Sequence, residues 1–331
     1  MSNYADHLSK QLFNDAIDHA PTRKGFGDGL ILAGDLDKRV VALCADLTES
    51  TQMDGFAKKY PERYFEVGVA EQNLATVAAG LAAEGFIPFT SSYAAFSPGR
   101  NWEQIRTTAC LNEQPVKIVG SHAGLSVGPD GATHQMLEDI ALMRSLPHMT
   151  VIVPCDVIEA RKATMEIAKT KLPAYLRLAR EKTPVITTDD SPFEIGKAQV
   201  WREGSDITII VAGPLAYEAL KVCEILAEES IDVELINCPS IKPLDDITIL
   251  TSTRKTRAVV TVEEAQINGG LGSAIAELLV EHDPVCMERI GVHDSFGQSG
   301  TMPELWNHYQ LLAADIAAAA RRVIKRSNQQ T

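Results

Sequence analysis

Three stretches in the first half of the chain carry the residues best suited to chemistry. Phe65-Glu-Val-Gly-Val-Ala-Glu-Gln-Asn73 sets a glutamate, Glu71, where a loop turns into a small-residue apolar helix (Leu74, Ala75, Val77, Ala78, Leu81, Ala82). A carboxylate there ordinarily serves the macrodipole and the free N–H groups of the helix start. In an apolar site the same group can exchange a proton with a bound heterocycle. An aromatic run follows, Tyr93-Ala-Ala-Phe96. Rings three apart commonly belong to a core, but they can also give a flat wall on which another ring stacks. The third stretch, Ser121-His-Ala-Gly-Leu-Ser-Val-Gly-Pro-Asp-Gly-Ala-Thr-His134, places His122, Asp130 and His134 in a loop after a buried-type strand. Ligands of α/β sheets sit at the carboxyl ends of strands, where such a loop lies. A zinc site is a competing use of two histidines and an aspartate. No fourth ligand and no i, i+4 histidine pair accompanies them, so a polar small-molecule site is the better reading.

The elements that must position these residues follow from alternation of short apolar strands with longer helical segments, the mark of parallel sheets covered on both faces. Residues 1–22 read as a polar, weakly helical lead-in. Strands are expected at Val40–Cys44, Val116–Val119, Thr150–Val153 and Tyr175–Leu178, and a helix over Asp156–Lys169 with Asp156 as its N-cap. A Pro- and Asp-rich stretch, Lys182–Phe193, reads as a linker. Beyond it, strands are expected at Ile207–Ala212, Val233–Asn237, Val259–Val262 and Met287–Gly291, with helices at Ala216–Glu228, Leu271–Glu281 and Ala313–Lys325. The predicted fold class is α/β: two domains in series, residues 1–187 and 194–328, each a mostly parallel sheet flanked by helices.

Composition bounds the function. With a formal net charge of −13, general attraction to nucleic acid or anionic lipid is excluded, and an anionic ligand needs local basic residues. The N-terminus lacks a basic-then-apolar signal, and no apolar run approaches the ~18 residues of a membrane span, which predicts a cytoplasmic protein. The six scattered cysteines form no C-x-x-C pair and read as buried free thiols.

Taken together, these motifs resemble the pyrimidine-binding half of transketolase, a thiamine-diphosphate enzyme. The resemblance covers nearly the whole chain. Val260–Ala265, the Gly269-Gly-Leu-Gly-Ser273 turn and Phe296-Gly-Gln-Ser-Gly300 are similar to the family's C-terminal domain. It implies that Glu71 hydrogen-bonds N1′ of the thiamine aminopyrimidine, promoting the tautomer that activates thiazolium C2. It implies further that Phe96 stacks on the pyrimidine, with Tyr93 in the same wall, and that Asp46 (Ala-Asp-Leu-Thr) lines the cofactor site. The spacing of His122, Asp130, Gly131 and His134 matches the family's substrate loop. By that similarity His134 faces the reacting hydroxyls and the aminopyrimidine, Asp130 selects a hydroxyl configuration, and His122 reaches towards a terminal phosphate. Arg23, Ser50 and Arg180 occupy the places from which transketolases bind the sugar phosphate. Each alone is an ordinary surface charge or turn residue. Donors converging from distant segments are nonetheless how a dianion is held.

A complete transketolase also carries a diphosphate- and metal-binding domain with a Gly-Asp-Gly motif and asparagines beyond it. Gly27-Asp28-Gly29 lies before the first strand without that asparagine pair, and is not such a motif. The resemblance therefore implies a split enzyme. This chain would supply the pyrimidine-binding and C-terminal domains. An N-terminal diphosphate-binding partner would hold thiamine diphosphate and Mg²⁺, in an α2β2 assembly that transfers a two-carbon glycolaldehyde unit from a ketose phosphate to an aldose. Three alternatives stay open: a 2-oxo-acid dehydrogenase β chain, a deoxyxylulose-phosphate-synthase-like subunit, and a non-catalytic stabilising subunit. The sugar is also open, including branched and sulfonated ones.

Overall fold

The structure, a computed structural model, describes residues 4–329. Its first domain strings together β1 (His19–Pro21), α1 (Thr22–Leu36), β2 (Val40–Cys44), α2 (Asp54–Lys59), β3 (Tyr64–Glu66), α3 (Glu71–Ala83), β4 (Ile87–Tyr93), α4 (Trp102–Gln104), β5 (Lys117–Ser121), α5 (Asp139–Arg144), β6 (Thr150–Ile152), α6 (Val157–Ile167), β7 (Ala174–Arg177) and β8 (Lys182–Pro184). The second adds β9 (Gln199–Arg202), β10 (Ile207–Val211), α7 (Ala216–Ala227), β11 (Val233–Asn237), β12 (Ser240–Lys242), α8 (Asp246–Thr256), β13 (Ala258–Gln266), α9 (Leu271–His282), β14 (Cys286–Val292), α10 (Met302–His308) and α11 (Ala313–Ser327). The first sheet is ordered β12-β6-β7-β5-β4-β2-β3 and is parallel apart from β12 at its edge. The second is ordered β14-β13-β10-β11-β9 and is parallel except for β9. Two α/β domains in series, each a mostly parallel sheet between helices, is thus the architecture. Among the described residues no helix is long and apolar enough to cross a membrane.

The strands are runs of β-branched and apolar residues with both faces covered, so β2, β5, β10 and β11 are buried at every position. Helix α6 starts where its cap predicts: the Asp156 carboxylate accepts from the N–H groups of Ile158 and Glu159. The same carboxylate also accepts from the N–H groups of Ile186 and Thr187, so the Pro- and Asp-rich connection is anchored rather than loose. Within that connection β8 pairs antiparallel with β1.

The lead-in departs from expectation. Residues 4–18 hold turns and no helix, and they run across the second domain. The Ala5 N–H donates to the Trp201 carbonyl, and Leu8 and Leu12 are buried in the second domain's core. Ser9 and Asn14 side chains accept from the N–H groups of Gln11 and Ala16, competing with the helical ladder. Cys44, Cys110, Cys155, Cys223 and Cys238 are buried free thiols, while Cys286 is half-buried.

Helix α1 was not expected from sequence, and it carries the Gly-Asp-Gly tripeptide. Gly25 and Gly29, one turn apart, face α6: a Cβ at Gly25 would stand 1.9 Å from the Val157 carbonyl oxygen, and one at Gly29 2.8 Å from that of Arg161. A Cβ on Gly27 would lie 2.5 Å from the Gln52 carbonyl oxygen. These glycines let α1 approach both α6 and the loop after β2. No phosphate is needed to explain them.

Candidate active site

The loops following β2, β3, β4, β5 and β7 open on one edge of the first sheet, its carboxyl edge, and the candidate residues gather there. Glu71 opens α3 and is 2% exposed. Its carboxylate accepts from Arg100 at 2.9 Å, and its carbonyl from Asn101 Nδ2 at 2.8 Å. The Arg100 guanidinium lies 4.5 Å from the centroid of the Phe96 ring, within cation–π range. Phe96 and Tyr93 are nearly parallel, 6.0 Å apart. The His134 ring meets both edge-on, 5.4 Å from Phe96 and 6.2 Å from Tyr93. The other face of the wall is closed by His122, stacked on Tyr93 at 3.8 Å.

A second group of residues adjoins this wall. Thr22 Oγ1 accepts from the Ala179 N–H at 2.8 Å, which brings Arg23 and Arg180 onto the same side of the sheet. Arg23 donates to the Ser50 carbonyl at 2.6 Å, and Arg180 to the Val127 carbonyl at 2.6 Å. Arg23 Nε is buried without a partner. Burial, with Arg180 beside it, lowers the Arg23 pKa below the usual arginine range. Burial also pushes His122 down to about 3, helped by Arg23, Arg180 and His134, so the imidazole is neutral at ordinary pH. His122 has φ of 55° and its Nδ1 sits 2.9 Å from Ser121 Oγ. Two crowded guanidiniums, an orphaned buried N–H and a neutral imidazole define a place that an anion would stabilise.

The sequence-predicted residues thus divide into two neighbouring groups. Glu71, Tyr93, Phe96 and His134 form the aromatic group; Arg23, Arg180, His122 and the Ser50 carbonyl form the basic one. Asp130 is exposed at the outer end of the 125–130 turn. Asp46, also exposed and with φ of 60°, lies in the loop with Ser50, where its N–H donates to Glu66. Among the described residues no three His, Cys, Asp or Glu side chains converge as a metal site would require. Sequence reasoning missed Arg100 and Asn101, which contact Glu71 directly. Their position four and five residues after Phe96 is the one signal that pointed to them.

The glycine turn before α9 is filled from within. The N–H groups of Leu271 and Gly272 donate to the buried Glu263 carboxylate at 2.7 and 2.8 Å, and a Cβ at Gly270 would meet it at 2.0 Å. Burial raises Glu263 to about 7, opposed by those two N–H bonds. That helix start is therefore occupied by the protein's own carboxylate.

A buried carboxylate beside a stacking wall, at the carboxyl edge of a parallel sheet, is a place where a flat heterocycle can stack and exchange a proton. Residues 18–185 match the transketolase pyrimidine-binding domain, and residues 196–316 the transketolase C-terminal domain. The chain is 44% identical over 307 residues to a putative transketolase C-terminal section of Methanocaldococcus jannaschii, covering 92% of this chain and 96% of that one. It is 40% identical over 318 residues to the 6-deoxy-6-sulfo-D-fructose transketolase subunit SqwH of a Clostridium species, covering 96% and 99%. A solved split-gene transketolase, described as an inactive beta4 tetramer, superimposes with a TM-score of 0.87 at 42% identity, covering 93% of this chain and 99% of that one. The chain belongs to the transketolase family.

Proposed function

We propose that this chain is the pyrimidine-binding and C-terminal subunit of a split transketolase. It would transfer a two-carbon unit from an anionic ketose to an aldose, using thiamine diphosphate completed by a diphosphate-binding partner. The observation that carries the reading is the Glu71 carboxylate set beside the Phe96–Tyr93 wall, with the Arg23–Arg180 pair alongside. The buried carboxylate and the flat wall fit an aminopyrimidine. When bound, thiamine diphosphate supplies the carbanion equivalent that accepts and donates the two-carbon unit.

The chain's own residues then have distinct tasks. Glu71 would hydrogen-bond a ring nitrogen of the pyrimidine, with its carboxylate oriented by Arg100, and Phe96 would fix the ring plane. His134, edge-on to Phe96 and with Nδ1 2.9 Å from Thr133 Oγ1, would face the reacting hydroxyls and move their protons. Arg23, Arg180 and His122 bind the anionic end of the sugar, which fixes the reacting carbonyl relative to Glu71. Asp130 and Asp46, both exposed, would meet a sugar hydroxyl and the cofactor respectively. A sulfonate suits the same arginines as a phosphate does, in keeping with the sulfosugar named for the Clostridium relative.

Partner dependence is supported by the surface around Glu71. Phe65, Val69 and Val77 are exposed, as is the outer face of α3 at Gln72, Asn73, Thr76 and Gly80. Three exposed apolar side chains, Phe65, Val69 and Val77, beside the Glu71 carboxylate suit a second chain closing over it. The Mg²⁺ and the diphosphate would be held by that chain.

The test is co-expression with a candidate diphosphate-binding chain, followed by assay with thiamine diphosphate, Mg²⁺, xylulose 5-phosphate or a sulfonated ketose, and ribose 5-phosphate. Turnover should need both chains and fall by about 10²–10⁴-fold in Glu71→Gln while assembly is retained. Cofactor-loaded complex with full activity in Glu71→Gln would sink the assignment. A complex that binds no cofactor at all would sink the cofactor claim itself.

A further inference from the structure

The loop that carries His122, Asp130 and His134 is held from behind by the second domain. Glu264, near the end of β13, is 1% exposed and points into that loop. Its carboxylate accepts from the Ser126 N–H at 2.7 Å, from the Ser126 hydroxyl at 3.1 Å and from Trp306 Nε1 on α10 at 2.8 Å. Gly124 has φ of 84°, and a Cβ there would stand 2.6 Å from Glu264 Oε2, so the loop lies directly against the carboxylate. One residue beyond Ser126, the Val127 carbonyl accepts the Arg180 guanidinium. Gln135 Nε2 closes the loop by donating to the carbonyls of Leu125, Gly128 and Gln298, the last from the second domain.

We propose that Glu264 is a positioning residue of the active site: by fixing both the N–H and the hydroxyl of Ser126, it aims the Val127 carbonyl that orients Arg180. A buried carboxylate is an expensive way to fill space, and an apolar residue of similar volume would pack there at no such cost. What an apolar residue cannot do is grip one loop residue by two donors while Trp306 holds the same carboxylate from the other side. The second domain thereby sets how tightly the anionic end of the substrate is bound. The role of Arg180 rests on the transketolase reading; the grip on the loop does not.

The experiment compares Glu264→Ala and Glu264→Gln in the assembled two-chain enzyme, with hydrogen exchange of residues 124–131 measured alongside kinetics. Glutamine keeps one oxygen for the Ser126 and Trp306 N–H groups, and its amide can donate to the Ser126 hydroxyl. Glu264→Ala should raise the KM for the anionic ketose on the order of 10-fold, with kcat changed much less, and should speed exchange in 124–131. Glu264→Gln should restore both towards the parent. Wild-type exchange and KM in Glu264→Ala would overturn the proposal, as would equal losses in both variants. If Glu264→Ala does not fold, Trp306→Phe and Ser126→Ala carry the same expectation, and a KM unmoved in both overturns it. An assembled parent enzyme without turnover would speak against the transketolase reading instead. Exchange, together with protection of the loop by inorganic phosphate, would still decide the role of Glu264.

Discussion

Folding places His122 in an environment far from water. The unfolded chain titrates it near ~6.5, whereas burial and the neighbouring arginines hold it neutral in the folded protein down to about 3. Between those limits the unfolded state binds the additional proton. This contribution to stability is therefore present above pH ~6.5 and is lost as pH falls towards 3. His122→Asn should flatten that part of the profile, read as a smaller drop in urea midpoint between about pH 7 and about pH 4.5. A variant with the parent's full acid sensitivity would show that His122 is not the group responsible. Glu71 is legible by place in the sequence because it opens α3, whereas Phe96 and His134 lie in the loops after β4 and β5 and come together only in the fold. Arg100 was not legible: its guanidinium reaches Phe96 and Glu71 only because the chain turns back at residues 97–99. Glu264 was hidden differently, since a Glu-Glu pair in a strand reads as an edge until the loop from the other domain is seen to cover it.

At the scale of elements, the position of Arg23 depends on how α1 docks. Arg23 lies two residues before Gly25, the point of closest approach to α6, and one after Thr22, which is tied to Ala179. Gly25→Ala puts a methyl group into the Val157 carbonyl oxygen. The expected cost is about 1–3 kcal/mol, partly offset by the better helix propensity of alanine. Thermal unfolding measures the first effect, and a raised KM for the anionic substrate measures the displacement of Arg23. Gly25→Ala with parental stability and KM would mean that α1 can shift freely, contrary to the tight packing described. The sequence pattern concealed α1 because its four glycines depress helix propensity, and only tertiary packing against α6, the loop after β2 and Phe56 offsets them. It concealed β12 for another reason: three residues at the edge of the first sheet are supplied by the second half of the chain.

On the scale of the whole molecule, the two domains act as one body around the site. Glu159 in α6 takes a hydrogen bond from Asn237 of β11 at 2.7 Å, Arg177 of β7 donates to the Glu264 carbonyl, and one apolar cluster includes Val41 and Leu43 together with Ile210, Ile236 and Val259. In the proposed function the first domain presents the chemistry, while the second domain holds the 124–135 loop through Glu264 and Gln298. In the proposed function, Glu71 activates the cofactor once the partner chain completes the site. The most direct test of that claim is the exchange rate of the thiazolium C2 proton of thiamine diphosphate, followed by NMR after rapid mixing of the two-chain complex with deuterated water. Exchange should be fast in the parent complex and slower by about 10²-fold or more in Glu71→Gln. Equal rates in the two, with cofactor bound in both, would contradict the claim.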